Sequence, residues 1–134
     1  MKKYMLDTHA FIWAIVGKSK LSELVLNVLQ DNKNALFVSV LSHWEMAIKY
    51  RKGKLYFENF DIQNLSGYCE KLGIKITHLT PEEATHYSTF PFAENHKDPF
   101  DRMLVCQCIA HGYTLVSKDE KMAAYKENGL ECVW

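Results

Sequence analysis

"HKDPFDRMLVCQCIAHGYTLVSKD", His96 to Asp119, holds a helix start, a helix, a stop and a strand in one run. Asp98 followed by Pro99 is a helix-start signal. An aspartate N-cap accepts a hydrogen bond from an orphan N–H, and proline costs nothing at the first helical position. Asp101 then falls in the first turn, where a negative charge suits the helix dipole. The apolar stretch that follows carries the helix to Gly112, and "TLVSKD" reads as a strand closed by Asp119.

The same alternation runs through the rest of the chain. "KYMLDT" is a short apolar strand ending at Asp7, followed by helical patterns in "HAFIWAIVG" and "KLSELVLNVLQDN". "ALFVSV" is strand two, and "LSHWEMAIKYRKGKL" and "DIQNLSGYCEKLG" are helices, the second with Asp61 as cap and Gly73 as stop. "IKITHL" is strand three. "TPEEATHYSTF" opens as a helix on threonine, proline and two glutamates, and "PFAENHK" is a loop. After the opening stretch come a helix in "EKMAAYKENG" and a last strand in "LECVW". Strands that alternate with helices require crossover connections. The expected fold is therefore one α/β domain over 1–134. It has three layers (α/β/α), with about five mostly parallel strands and helices on both faces.

Composition sets the bounds. With 134 residues, 48% hydrophobic and 24% charged, the chain is long enough to bury a proper core. The formal net charge is zero, so bulk charge does not advertise nucleic-acid binding, and any such role must come from a local site. No apolar run approaches the ~20 residues of a membrane span. Asp7 and His9 interrupt the apolar part of the N-terminus. That stretch reads as the first strand and helix of a cytoplasmic protein rather than a signal peptide. The cysteines Cys69, Cys106, Cys108 and Cys132 form no C-x-x-C pair, which argues against a structural zinc site. Cys106 and Cys108 read as small core residues.

In open parallel sheets, ligands bind beyond the carboxyl ends of the strands. Asp7 and Asp119 close two strands at that edge. Glu45 is expected in the first turn of the helix after strand two, projecting to the same edge. Asp98 and Asp101, three apart, share one face of their helix. Each has a plain structural reading as well. Asp7 can be a turn residue, Asp119 and Asp98 can be caps, and Ser42–Glu45 fits a capping box. Together, however, four or five carboxylates at one edge would repel one another and raise one another's pKa values. A divalent cation removes that conflict, and oxygen ligands favour Mg2+ or Mn2+ over zinc. Such a site supports metal-assisted attack of water on a phosphodiester.

Four blocks, "LDTHAFIW" (6–13), "SHWEMAIKYRKGKL" (42–55), "HKDPFDRMLVCQC" (96–108) and "LVSKDEKMAAY" (115–125), resemble those of the PIN domain. The similarity is greatest to the VapC-type ribonuclease toxins of bacterial toxin–antitoxin pairs. The resemblance implies a compact α/β domain that cleaves RNA with Mg2+ or Mn2+. By position it makes Asp7, Glu45, Asp101 and Asp119 the catalytic acids. The same four, with Asp98, become metal ligands, Asp98 as either a ligand or a cap. It also implies a small antitoxin partner and a homodimer or larger assembly that blocks translation in the cytoplasm.

Other residues carry weaker expectations. Thr8 can give its hydroxyl to a ligand carboxylate or phosphate, or cap the first helix. Arg102 can steady a carboxylate or phosphate, or form a surface ion pair. Lys49, with Arg51, Lys52 and Lys54, can attract an RNA backbone or form a solvated face. His96 reads as an RNA contact or a structural hydrogen-bonder. Ser117 and Lys118 receive no role. Phe11, Trp13 and Trp44 are expected in the core.

Three other classes compete. An aspartate-nucleophile phosphatase wants a second aspartate two residues after Asp7, where this chain has His9. Nucleotide-binding loops want glycines, and the turn after strand one is "DTHAF". An RNA-processing nuclease, or a non-catalytic module of the same fold, would differ only in target, partner or metal binding.

Overall fold

The computed structural model describes residues 1–134. Five strands form one sheet: β1 (Lys3–Leu6), β2 (Ala35–Ser39), β3 (Ile74–Thr77), β4 (Thr114–Val116) and β5 (Glu131–Val133). Their order across the sheet is β3-β2-β1-β4-β5, and every pairing is parallel. Six helices connect them: α1 (Thr8–Val16), α2 (Glu23–Gln30), α3 (Val40–Arg51), α4 (Leu65–Leu72), α5 (Pro81–His86) and α6 (Pro99–His111).

The sheet explains the layering. Side chains alternate between faces along a strand. In β1, Tyr4 and Leu6 join a cluster with Phe11 and Ala10 of α1, Val25 of α2, Met46 of α3 and Cys69 of α4. Met5 points the other way, into a cluster with Leu104, Val105 and Cys108 of α6 and with Met122 and Tyr125. Helices α1–α4 thus cover one face and α6 the other, as right-handed crossovers require once the strand order reverses at β1. The reversal lies between β1 and β4, and there the Asp7 N–H donates to Val116 O at 3.0 Å. That places Asp7 and Ser117 side by side at the crevice where such sheets take their ligands.

Several expected elements shift. Strand β4 stops at Val116, so Asp119 lies beyond it and caps the next segment, donating no strand end. That segment, Glu120–Asn128, is a 3-10 helix rather than an α-helix. Only Met122 and Tyr125 are buried from it, and a spacing of three suits the tighter turn. Helix α3 starts at Val40 directly from β2, with Ser39 as its cap, so Glu45 sits in the second turn and no Ser42–Glu45 capping box forms. The Thr80–Glu83 capping box of α5 does form. Trp44 is 60% exposed, edge-on to Phe100, whereas Phe11 is fully buried and Trp13 packs partly buried against the core. An apolar helix position is not a core position when it faces away from the sheet. Cys106 and Cys108 are buried as expected.

Candidate metal and active site

Each acid reaches the crevice by a different local device. Asp7 follows β1 and caps α1, its Oδ1 accepting from the Ala10 N–H at 2.8 Å. The Ser117 hydroxyl also bonds its carboxylate. Burial nevertheless dominates and raises the Asp7 pKa above the ordinary aspartate value. Glu45 is buried and accepts the Thr8 hydroxyl at 2.6 Å, while its second oxygen meets Lys49 Nζ at 2.8 Å. Thr8 Oγ1 in turn lies 3.0 Å from Ser42 Oγ. Asp98 is exposed and caps α6, its Oδ1 accepting from Phe100 N at 2.8 Å and Asp101 N at 3.1 Å. That cap fixes the first turn, and so fixes where Asp101 projects. Asp119 accepts from Lys121 N at 3.0 Å and donates its own N–H to Ser117 Oγ at 3.1 Å.

The acids do converge. The Asp101 carboxyl is pushed up to about 7, first by burial and then by the negative charges of Asp98, Glu45, Asp7 and Asp119. The other four acids thus all act through space on Asp101. The tightest grouping is narrower and includes a residue outside that set. Ligand atoms of His96, Asp101 and Asp119 all lie within 4.8 Å of one another. Asp7, Glu45 and Asp98 stand outside this triplet.

These residues fit a divalent cation. Asp101, crowded enough to hold a proton near neutrality, lacks a counter-charge. Beside them, buried His96 leaves its Nε2 without a hydrogen-bond partner. Oxygen donors with one imidazole nitrogen suit Mn2+ and accept Mg2+.

Of the residues expected to touch substrate, Thr8 is buried and committed to Glu45, while Asp7, not Thr8, caps α1. Arg102 turns away from the acids: its Nε donates to the His96 carbonyl, and its guanidinium lies 4.7 Å from the Phe92 ring centre. Lys49 is 35% exposed and bound to Glu45, while Arg51, Lys52 and Lys54 are exposed. Ser117, which carried no expectation, is buried and joins Asp7 to Asp119. The signal for it lay in "SKD", since serine two residues before a cap closes a local turn on the following N–H. An open groove of about 740 Å³ starts at Asp119 and leads away along β5. Its lining includes Lys118, Lys126 and Trp134.

Comparison with known proteins agrees with this architecture. A curated relative, Ribonuclease VapC22 of Mycobacterium tuberculosis, is 23% identical over 134 residues, the whole of both chains. Among solved structures, the VapBC-1 structure from nontypeable Haemophilus influenzae matches with a TM-score of 0.65 at 18% identity. It covers 98% of this chain and 96% of its own. The structure of VapBC2 from Rickettsia felis bound to a promoter DNA fragment matches with a TM-score of 0.62 at 16% identity, over 98% and 97%. The PIN domain model matches residues 4–128, nearly the full length, and the chain belongs to the PIN domain family.

Proposed function

We propose that the protein is a divalent-metal-dependent endoribonuclease acting as the toxin of a toxin–antitoxin pair. The observation that carries the reading is Asp101, raised to about 7 by burial and by four surrounding carboxylates. Asp7, Glu45, Asp101 and Asp119 would hold the cation. Bound there, Mg2+ or Mn2+ would activate water, offset the charge developing on the phosphate and hold the leaving oxygen.

The chain's own part is placement. Ser117 holds Asp7 and Asp119 in one register across β1 and β4. Thr8 and Lys49 fix both oxygens of Glu45. Asp98 acts as the cap that aims Asp101. The partly exposed ammonium of Lys49 and the lysines of the β5 groove offer positive charge to an RNA backbone that would otherwise meet only carboxylates. Helix starts and strand ends position most of these groups, so little ordering is left to substrate binding.

The toxin assignment draws on the relatives named VapC and VapBC. It entails a small antitoxin, a dimeric or larger assembly, and action on RNA in the cytoplasm, with arrest of translation as the result. No helix is long and apolar enough to cross a membrane.

The test compares wild type with Asp7→Asn and Asp101→Asn on structured and single-stranded RNAs, each with Mg2+, Mn2+ and EDTA. Cleavage should need metal and fall by roughly 10²-fold or more in both variants. Asparagine keeps the Asp7 cap, so a folded but inactive variant is expected. Metal-independent cleavage, or full activity in either variant, would refute the reading.

A further inference from the structure

The His96 ring is buried, with one nitrogen held and the other free. Its carbonyl oxygen accepts from Arg102 Nε, which lies on the Phe92 face. Its ring meets Tyr125 edge-on at 5.3 Å, and Nδ1 is 2.6 Å from the Tyr125 phenol oxygen. The same phenol oxygen accepts from the Ala93 N–H at 3.2 Å. His96 is only 2% exposed, yet Nε2 is buried with no partner. A buried polar atom left unpaired costs free energy and calls for an explanation. A histidine kept only for packing would be replaced at no such cost by an apolar ring.

We propose that His96 is a nitrogen ligand of the cation site, binding through Nε2 together with Asp101 and Asp119. The inference rests on the metal-dependent reading above and assigns it a donor outside the acidic set. Two observations carry it: the unpartnered Nε2, and the ligand atoms of the three residues within 4.8 Å of one another. Ligands at ~2.1 Å from one octahedral ion stand ~4.2 Å apart when trans and ~3 Å apart when cis, so the triplet draws together as an ion binds.

The surroundings of Nδ1 are those of a ligating imidazole. Such a ring gives its other N–H to an oxygen, which fixes its tautomer and rotation. With the proton on Nδ1, the donor faces Tyr125 and Nε2 keeps its lone pair free for a cation. The phenol oxygen has lone pairs for both Nδ1–H and the Ala93 N–H. Tyr125 is thus a positioning residue, fixed in turn by burial between α6 and the sheet. An imidazole donor also tilts the site toward Mn2+, since Mg2+ prefers oxygen alone.

Electron spin-echo spectroscopy of the full chain loaded with Mn2+ tests the assignment directly. Nitrogen-14 modulation is expected in wild type and absent in His96→Gln. Tyr125→Phe should retain the modulation and bind Mn2+ roughly 10-fold more weakly by calorimetry. Circular dichroism checks the fold of both variants, and the wild-type spectrum stands alone if either misfolds. Bound Mn2+ without nitrogen modulation would overturn the ligand assignment and leave the metal reading intact. Modulation that survives in folded His96→Gln would overturn it too. Failure of Mn2+ to bind wild type would remove both.

Discussion

Thr8 donates its hydroxyl to the Glu45 carboxylate at 2.6 Å, although 37 positions separate the two in sequence. The contact ties the first turn of α1 to the second turn of α3, and both residues are buried. A hydrogen bond to a charged, buried acceptor is among the stronger kinds. Thr8→Val keeps the shape and removes the donor. The expected loss is about 1.5–3 kcal/mol in chemical denaturation. Cleavage should drop roughly 10-fold as Glu45 loosens. Thr8→Ser should recover most of both.

Asp101 makes the metal-free protein sensitive to pH. In the unfolded chain its carboxyl loses its proton near the model value of 3.8, and in the fold near 7. Below the first value the proton is bound in both states and the group is neutral to stability. Between the two, the folded state keeps a proton that the unfolded chain has released, so stability falls as pH rises. Above about 7 the full cost is present. In EDTA, Asp101→Asn should therefore melt above wild type at pH 8, by about 1 kcal/mol or roughly 4 °C. The gain should shrink toward pH 4. An equal difference at both pH values would contradict the repulsion argument.

Asp98 separates capping from chemistry. Its Oδ1 carries two backbone N–H groups at the start of α6. Asp98→Ala should cost about 1 kcal/mol, and Asp98→Asn much less, because asparagine caps almost as well. With the cap kept, Asp98→Asn should retain cleavage within about 10-fold. A drop as deep as that of Asp101→Asn would make Asp98 a ligand instead.

Trp44 and Phe11 test the packing. Phe11→Ala should cost about 3–5 kcal/mol, the range for a fully buried aromatic. Trp44→Ala should cost less than about 1 kcal/mol, since Trp44 is largely exposed. Paired urea titrations read the difference.

The α/β order, the parallel sheet and the edge where acids would gather were legible in the sequence alone. Strand and helix periods, caps and stops are local signals, and crossover geometry turns their alternation into a sheet with a ligand edge. Tertiary structure decided what no local pattern carries. It drew the start of α3 back to Ser39, so that Glu45 answers Thr8 rather than Ser42. It exposed Trp44, buried Ser117 between Asp7 and Asp119, and turned Arg102 from the acids to the His96 carbonyl. Above all it set the imidazole of His96 beside Asp101 and Asp119. That ring belongs to an irregular segment, where no period predicts direction. Its position follows from Tyr125, which is 29 residues away in the chain and adjacent only after the sheet has closed.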